Sequence, residues 1–102
     1  MKGALILTAF LALVTAVAAA EDISVRRGEE LFNSTQLGTN GKSCATCHPK
    51  GKNLAKAATY GDERLVSIIN GCIENPLSGT PLPKHSPEMA SLVLYLKTFA
   101  RQ

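Results

Sequence analysis

Apolar residues recur at helical spacing in three stretches of this chain, and a fourth stretch is apolar without interruption. The clearest periodic segment is the last: Met89, Leu92, Val93, Leu96 and Ala100 fall at i, i+3, i+4, i+7 and i+11 and make one stripe. Ser86 is a good N-cap for that helix, Pro87 suits its first position, and Glu88 complements the positive end of the dipole. Near the other end, Ser24 is placed to cap a helix over residues 25–32 with Leu31 and Phe32 on its buried face. Gly28 inside it costs helix stability, which points to a close packing contact there. A third helix is expected over residues 63–70, capped by Asp62, made apolar by Leu65, Val66, Ile68 and Ile69, and ended at Gly71. Residues 37–43 and 50–59 lack a period and are expected as loops. Residues 72–84 contain Pro76, Pro81, Pro83 and Gly79, which exclude regular helix and point to an ordered loop.

The uninterrupted run is at the N-terminus, where Lys2 precedes apolar residues from Ala4 to Val17 and then Ala18-Ala19-Ala20. A basic residue, a short apolar core and small residues form a secretory signal peptide, which places the mature start near Glu21. The competing reading is an uncleaved anchor, and the 17 residues from Ala4 to Ala20 lie at the short limit for crossing a bilayer. The expected organisation is therefore a signal peptide at residues 1–20 and one domain at residues 21–102, with no internal repeat and no stable membrane insertion after cleavage. Removing 20 of 102 residues leaves 82, a length at which a core is marginal and a metal, disulfide or other staple is commonly needed. The formal charge of +3 falls to +2 without Lys2 and identifies no partner. No basic stripe with interleaved aromatics is present to support nucleic-acid binding.

The candidate staple lies between the first two mature helices. Cys44-Ala45-Thr46-Cys47-His48 has the C-x-x-C-H form that attaches haem c covalently, through the two thiols, with the adjacent histidine as proximal iron ligand. A zinc site would need four donors drawn from Cys44, Cys47, His48, Cys72 and His85, which lack the paired spacing of ribbons and fingers. A thioredoxin-like dithiol needs a strand before the motif, whereas Thr39-Asn40-Gly41-Lys42-Ser43 has the composition of a turn. A plain disulfide would leave His48 as coincidence. Export and haem agree with each other, because this attachment takes place outside the bacterial cytoplasm.

The motif leaves the distal iron ligand open. Met89 is one candidate, although its position on an apolar stripe equally fits core packing. Cys72 is another: with Cys44 and Cys47 used, it is an unpaired thiol in an oxidising compartment, which needs an explanation. It is either a small buried residue, an intermolecular partner or a thiolate ligand that would hold the potential low. His85, Asn70 and Asn75 are further candidates, with solvent exposure, a helix end and a pre-proline turn as their structural readings. Lys42, Lys50, Lys52 and Lys56 flank the motif and either steer acidic partners or are simply solvated.

With the motif between them, Gly28 and Phe32 on the first helix and Tyr95-Leu96 on the last resemble the class I cytochrome c family over essentially the whole mature chain. That resemblance implies an all-α cytochrome c fold of about three to four helices around one covalently attached haem, with Cys44, Cys47 and His48 in the roles given above. A second resemblance covers residues 63–97: Ile69-Asn70-Gly71-Cys72, Asn75-Pro76-Leu77, Gly79, Pro81-Leu82 and Ser86-Pro87-Glu88-Met89-Ala90-Ser91-Leu92 are similar to the C-terminal part of thiosulfate dehydrogenases and of the A subunit of the Sox sulfur-oxidising complex. It implies Cys72 as distal iron ligand, with Met89 as packing. Those relatives generally have a second haem domain or a partner subunit, which 82 residues do not supply. Arg27-Gly28, then Leu31-Phe32-Asn33-Ser34-Thr35-Gln36 and Ser43-Cys44, also resemble small oxygen-binding haem proteins with an Asn distal ligand. The expectation is a periplasmic monohaem cytochrome that passes single electrons between periplasmic redox proteins and is not an enzyme. The alternatives are a sulfur-oxidising enzyme or subunit and a diatomic-ligand binder.

Overall fold

Ser24 opens the first helix, α1 (Val25–Asn33), by accepting a hydrogen bond from the Arg27 N–H at 3.0 Å, which satisfies one of the donors left free at a helix start. The structure, a computed structural model, describes residue 3 and residues 22–101, so the expected signal peptide lies outside the described residues except for Gly3. The remaining helices are α2 (Cys44–Cys47), α3 (Asp62–Glu74) and α4 (Pro87–Lys97); 3-10 turns at Pro49–Gly51 and Ala57–Thr59 lie between α2 and α3, and one at Thr98–Arg101 follows α4. No strand occurs among the described residues, and the all-α class follows.

The frame is α1 packed on α4. Gly28 is buried, and a Cβ there would overlap the Ser91 carbonyl and press on Tyr95, so only glycine lets the two backbones come this close. Phe32, Tyr95 and Phe99 gather beside this crossing, with ring centroids 4.9–5.7 Å apart in tilted and edge-on pairs. Ser91 is fully buried on the same face of α4, and its Oγ accepts from the Ser24 N–H at 3.2 Å and donates to the Asp22 carbonyl at 3.3 Å. The start of the described domain is thereby tied to the last helix.

The last helix begins as expected, with Ser86 Oγ accepting from the Met89 N–H at 3.2 Å and Pro87 in the first turn. Met89, Leu92, Val93 and Leu96 are buried, but Ala100 is not on the stripe: it is exposed, and Phe99 takes the core position. The reason is the switch to a 3-10 turn at Thr98, whose tighter winding rotates the register.

Two boundaries of α3 also differ from expectation. Gly61 is the N-cap and Asp62 the first helical residue, where its charge faces the positive end of the dipole. The helix continues through Gly71 and Cys72 to Glu74 because Ile73 is fully buried, and that burial outweighs the roughly 1 kcal/mol propensity cost of one glycine. Asn70 is consequently inside the helix rather than at its end. Its side chain donates to the Leu82 carbonyl at 2.9 Å and accepts from the Leu82 N–H at 2.8 Å, which pins the proline-rich loop to α3. Asp62 and Lys97 form an exposed ion pair between the start of α3 and the end of α4.

Replacing Gly28 with Ala should lower the unfolding free energy by about 1–3 kcal/mol through overpacking at the α1–α4 crossing. A urea titration measures it, and an unchanged midpoint would show that the crossing can yield.

Candidate functional site

The motif forms α2, a single helical turn. Buried Ser43 precedes it, its N–H donating to Thr46 Oγ1 at 2.9 Å, and the His48 N–H closes the turn on the Cys44 carbonyl at 3.0 Å. Pro49 cannot donate a backbone hydrogen bond, and the chain reverses through Lys50 and Gly51, both with positive φ. The reversal brings the Lys52 carbonyl to 2.8 Å from His48 Nδ1. A carbonyl only accepts, so Nδ1 carries a proton, and in the neutral ring Nε2 is the nitrogen with the lone pair. That is the arrangement by which a second partner orients a metal-binding histidine and fixes its tautomer. Lys52 was singled out in the sequence only for its charge; its backbone role had a signal in Pro49 and Gly51, a tight turn immediately after the histidine.

Cys44, Cys47 and His48 line one apolar cleft together with Cys72, which comes from the last turn of α3. Phe32 from α1 and Leu92 and Leu96 from α4 contribute to the same cleft, as do Ile68 and Ile69 from α3. Burial pushes the Cys44 thiol from 9.0 up to about 11, with the neighbouring Cys72 as the second cause. The Cys72 thiol is likewise raised, first by burial and then by Cys47. The three sulfurs are thus within electrostatic reach of one another, and all three cysteines are free thiols. Thioether formation would remove the Cys44 thiol, whose charged form the cleft disfavours. Two thiols, a histidine with one free ring nitrogen and an apolar lining fit a covalently held porphyrin. Among the described residues no group of three or more His, Cys, Asp or Glu side chains is placed to hold a metal ion.

The other distal candidates lie elsewhere. Met89 is fully buried in the core and borders a different groove, between α3 and α4, as does the exposed His85. Asn70 has both ends of its amide engaged by Leu82, which removes it as a ready ligand, and Asn75 is exposed and donates to the Gly71 carbonyl at 3.2 Å. Lys42, Lys50, Lys52 and Lys56 are all exposed, and residues 42–56 contain no acidic residue. Thr39 and Asn40, which sequence reasoning treated only as turn residues, bind the loop that follows Cys72. No protein-family model, curated protein or solved structure matches the chain.

In the haem-free folded chain, alkylation of Cys44 by iodoacetamide should stay slow through pH 9 and accelerate only toward pH 11, as mapped by mass spectrometry. Because the folded-state value is raised, the Cys44 contribution to stability is complete below pH 9.0 and is lost as pH rises toward 11, where the unfolded chain ionises first. A Cys44 alkylation profile identical in folded and urea-unfolded chain would contradict the burial argument.

Proposed function

We propose that this chain is a periplasmic monohaem c-type cytochrome carrying single electrons, with haem c attached at Cys44 and Cys47, His48 as proximal ligand and Cys72 as distal ligand. In this reading the α1–α4 crossing at Gly28, Phe32 and Tyr95-Leu96 belongs to a class I cytochrome c fold, and the N-terminal segment is a signal peptide. One observation carries the proposal: the motif residues and Cys72 share a single apolar cleft, while Met89 and His85 border another groove.

The cofactor supplies a one-electron iron couple, and the protein's part is to bind it, set its potential and limit access to it. His48 is oriented by the Lys52 carbonyl, which leaves Nε2 available on the side chain next to the attachment thiols. The half-buried Cys72 thiol is raised above its ordinary range, so binding iron there would require it to give up its proton to solvent. A thiolate ligand donates more electron density than a methionine thioether and holds the potential lower. The acid-free lysine segment at residues 42–56 would favour acidic redox partners in the periplasm, through on-rate more than through affinity.

The sulfur-oxidising alternative draws on the same Cys72 and on the resemblance over residues 63–97. Thiosulfate oxidation by the haem-loaded chain, lost in Cys72→Ala with haem retained, would replace electron carriage with that reading.

Low-temperature EPR of the oxidised haem-loaded protein tests the ligand set. A low-spin thiolate signal is expected, retained in Met89→Leu and lost in Cys72→Ser. An unchanged signal in Cys72→Ser would remove Cys72 from the iron.

A further inference from the structure

The segment that leads into the motif and the segment that follows Cys72 are bonded directly to each other. The Thr39 N–H donates to the Leu77 carbonyl at 3.0 Å, Thr39 Oγ1 donates to the Ser78 carbonyl at 2.7 Å, and Asn40 Nδ2 donates to the Pro76 carbonyl at 2.8 Å. Three consecutive carbonyls of one loop are thus held by two consecutive residues of the other. The backbones touch as well, since a Cβ on Gly38 would overlap the Leu77 carbonyl and one on Gly79 would overlap the Leu37 carbonyl. The Leu77 N–H in turn donates to the Cys72 carbonyl at 3.2 Å. The peptide units on either side of Leu77 therefore link Thr39 to the end of α3. Pro76 and Leu77 themselves line the cleft beside Cys72.

We infer that Thr39 and Asn40 are positioning residues that clamp the Pro76–Ser78 loop, hold Cys72 in reach of the iron and keep exogenous ligands off its distal face. The inference rests on the proposed haem site. It accounts for the contact as a device that separates a closed electron carrier from a ligand binder, a difference that the motif itself does not set. With the clamp made, α3 beyond Gly71 has no freedom to withdraw Cys72 unless the loop at residues 76–78 moves with it. With the two side-chain donors removed, the loop keeps the Thr39 N–H on the Leu77 carbonyl, the Gly79 N–H on the Ile73 carbonyl at 2.7 Å and the buried Leu77 side chain, so Cys72 is loosened rather than released.

The test uses the haem-loaded protein and reads carbon monoxide binding to the reduced form together with EPR of the oxidised form. Thr39→Val and Asn40→Ala each remove one side-chain donor to the loop, and Thr39→Ser keeps its hydroxyl. The expected result for the double variant Thr39→Val/Asn40→Ala is carbon monoxide binding about tenfold faster than in the parent, the scale set by two ordinary hydrogen bonds. A high-spin fraction should appear in its oxidised spectrum, while Thr39→Ser behaves like the parent. If the double variant fails to load haem, the two single variants carry the same readouts at smaller size. Unchanged carbon monoxide kinetics and an unchanged spectrum, even with a lowered melting temperature, would reduce the clamp to ordinary loop stabilisation and overturn the inference. Cys72→Ser in the same series separates the two claims. A parental low-spin signal in Cys72→Ser overturns the ligand assignment, whereas the carbon monoxide rate of the clamp variants still reports on access.

Discussion

The backbone of α1 lies against the backbone of α4 at Gly28, and the rest of the domain is arranged around that approach. A side chain at residue 28 would meet the Ser91 carbonyl, so the contact sets the spacing of the two helices before any core side chain is placed. Phe32 follows one turn later on α1, and Leu92 and Leu96 stand on the facing side of α4; all three reach the cleft that also holds Cys44, Cys47, His48 and Cys72. The site is therefore a continuation of the packing seam, and a porphyrin held there would extend the core formed by the buried side chains. Ser91 reinforces the same crossing by fastening residues 22–24 to α4.

Much of this was legible in the sequence, for identifiable reasons. The caps at Ser24 and Ser86 act through neighbours three residues away, so local sequence describes them fully. Gly28 stood out because a helix interior has no local use for glycine. What was not legible depended on distant partners. The extension of α3 to Glu74 comes from the burial of Ile73, and the exposure of Ala100 comes from a change of helical winding that brings Phe99 inward. Asn70, beside the candidate ligand Cys72, has the composition of a ligand and the geometry of a tether, because its partner Leu82 is 12 residues away in a loop without periodicity. The grip of Thr39 and Asn40 on residues 76–78 spans nearly 40 positions and left no local trace.

Under the proposed function, one environment would serve the thiols in two ways. Burial holds the Cys44 and Cys72 thiols in the protonated form, with Cys72 adding to the shift at Cys44 and Cys47 adding to that at Cys72. A protonated thiol is less open to adventitious exchange with other disulfides in an oxidising compartment. In the proposed cytochrome, thioether bonds at Cys44 and Cys47 would take both sulfurs out of titration and leave the remaining chemistry to His48 and Cys72. The positive lysine segment beside them and the mixed-charge groove between α3 and α4 give the domain two unlike faces, of which only the first adjoins the proposed cofactor.

The most direct measurement is the intact mass and peptide map of the chain after export from a bacterial host that assembles c-type cytochromes. The account predicts a processed chain carrying one haem, with the haem on the peptide that contains Cys44 and Cys47 and not removed by acidified acetone. Recovery of the chain at its unmodified mass, with Cys44 and Cys47 both alkylatable, would contradict it.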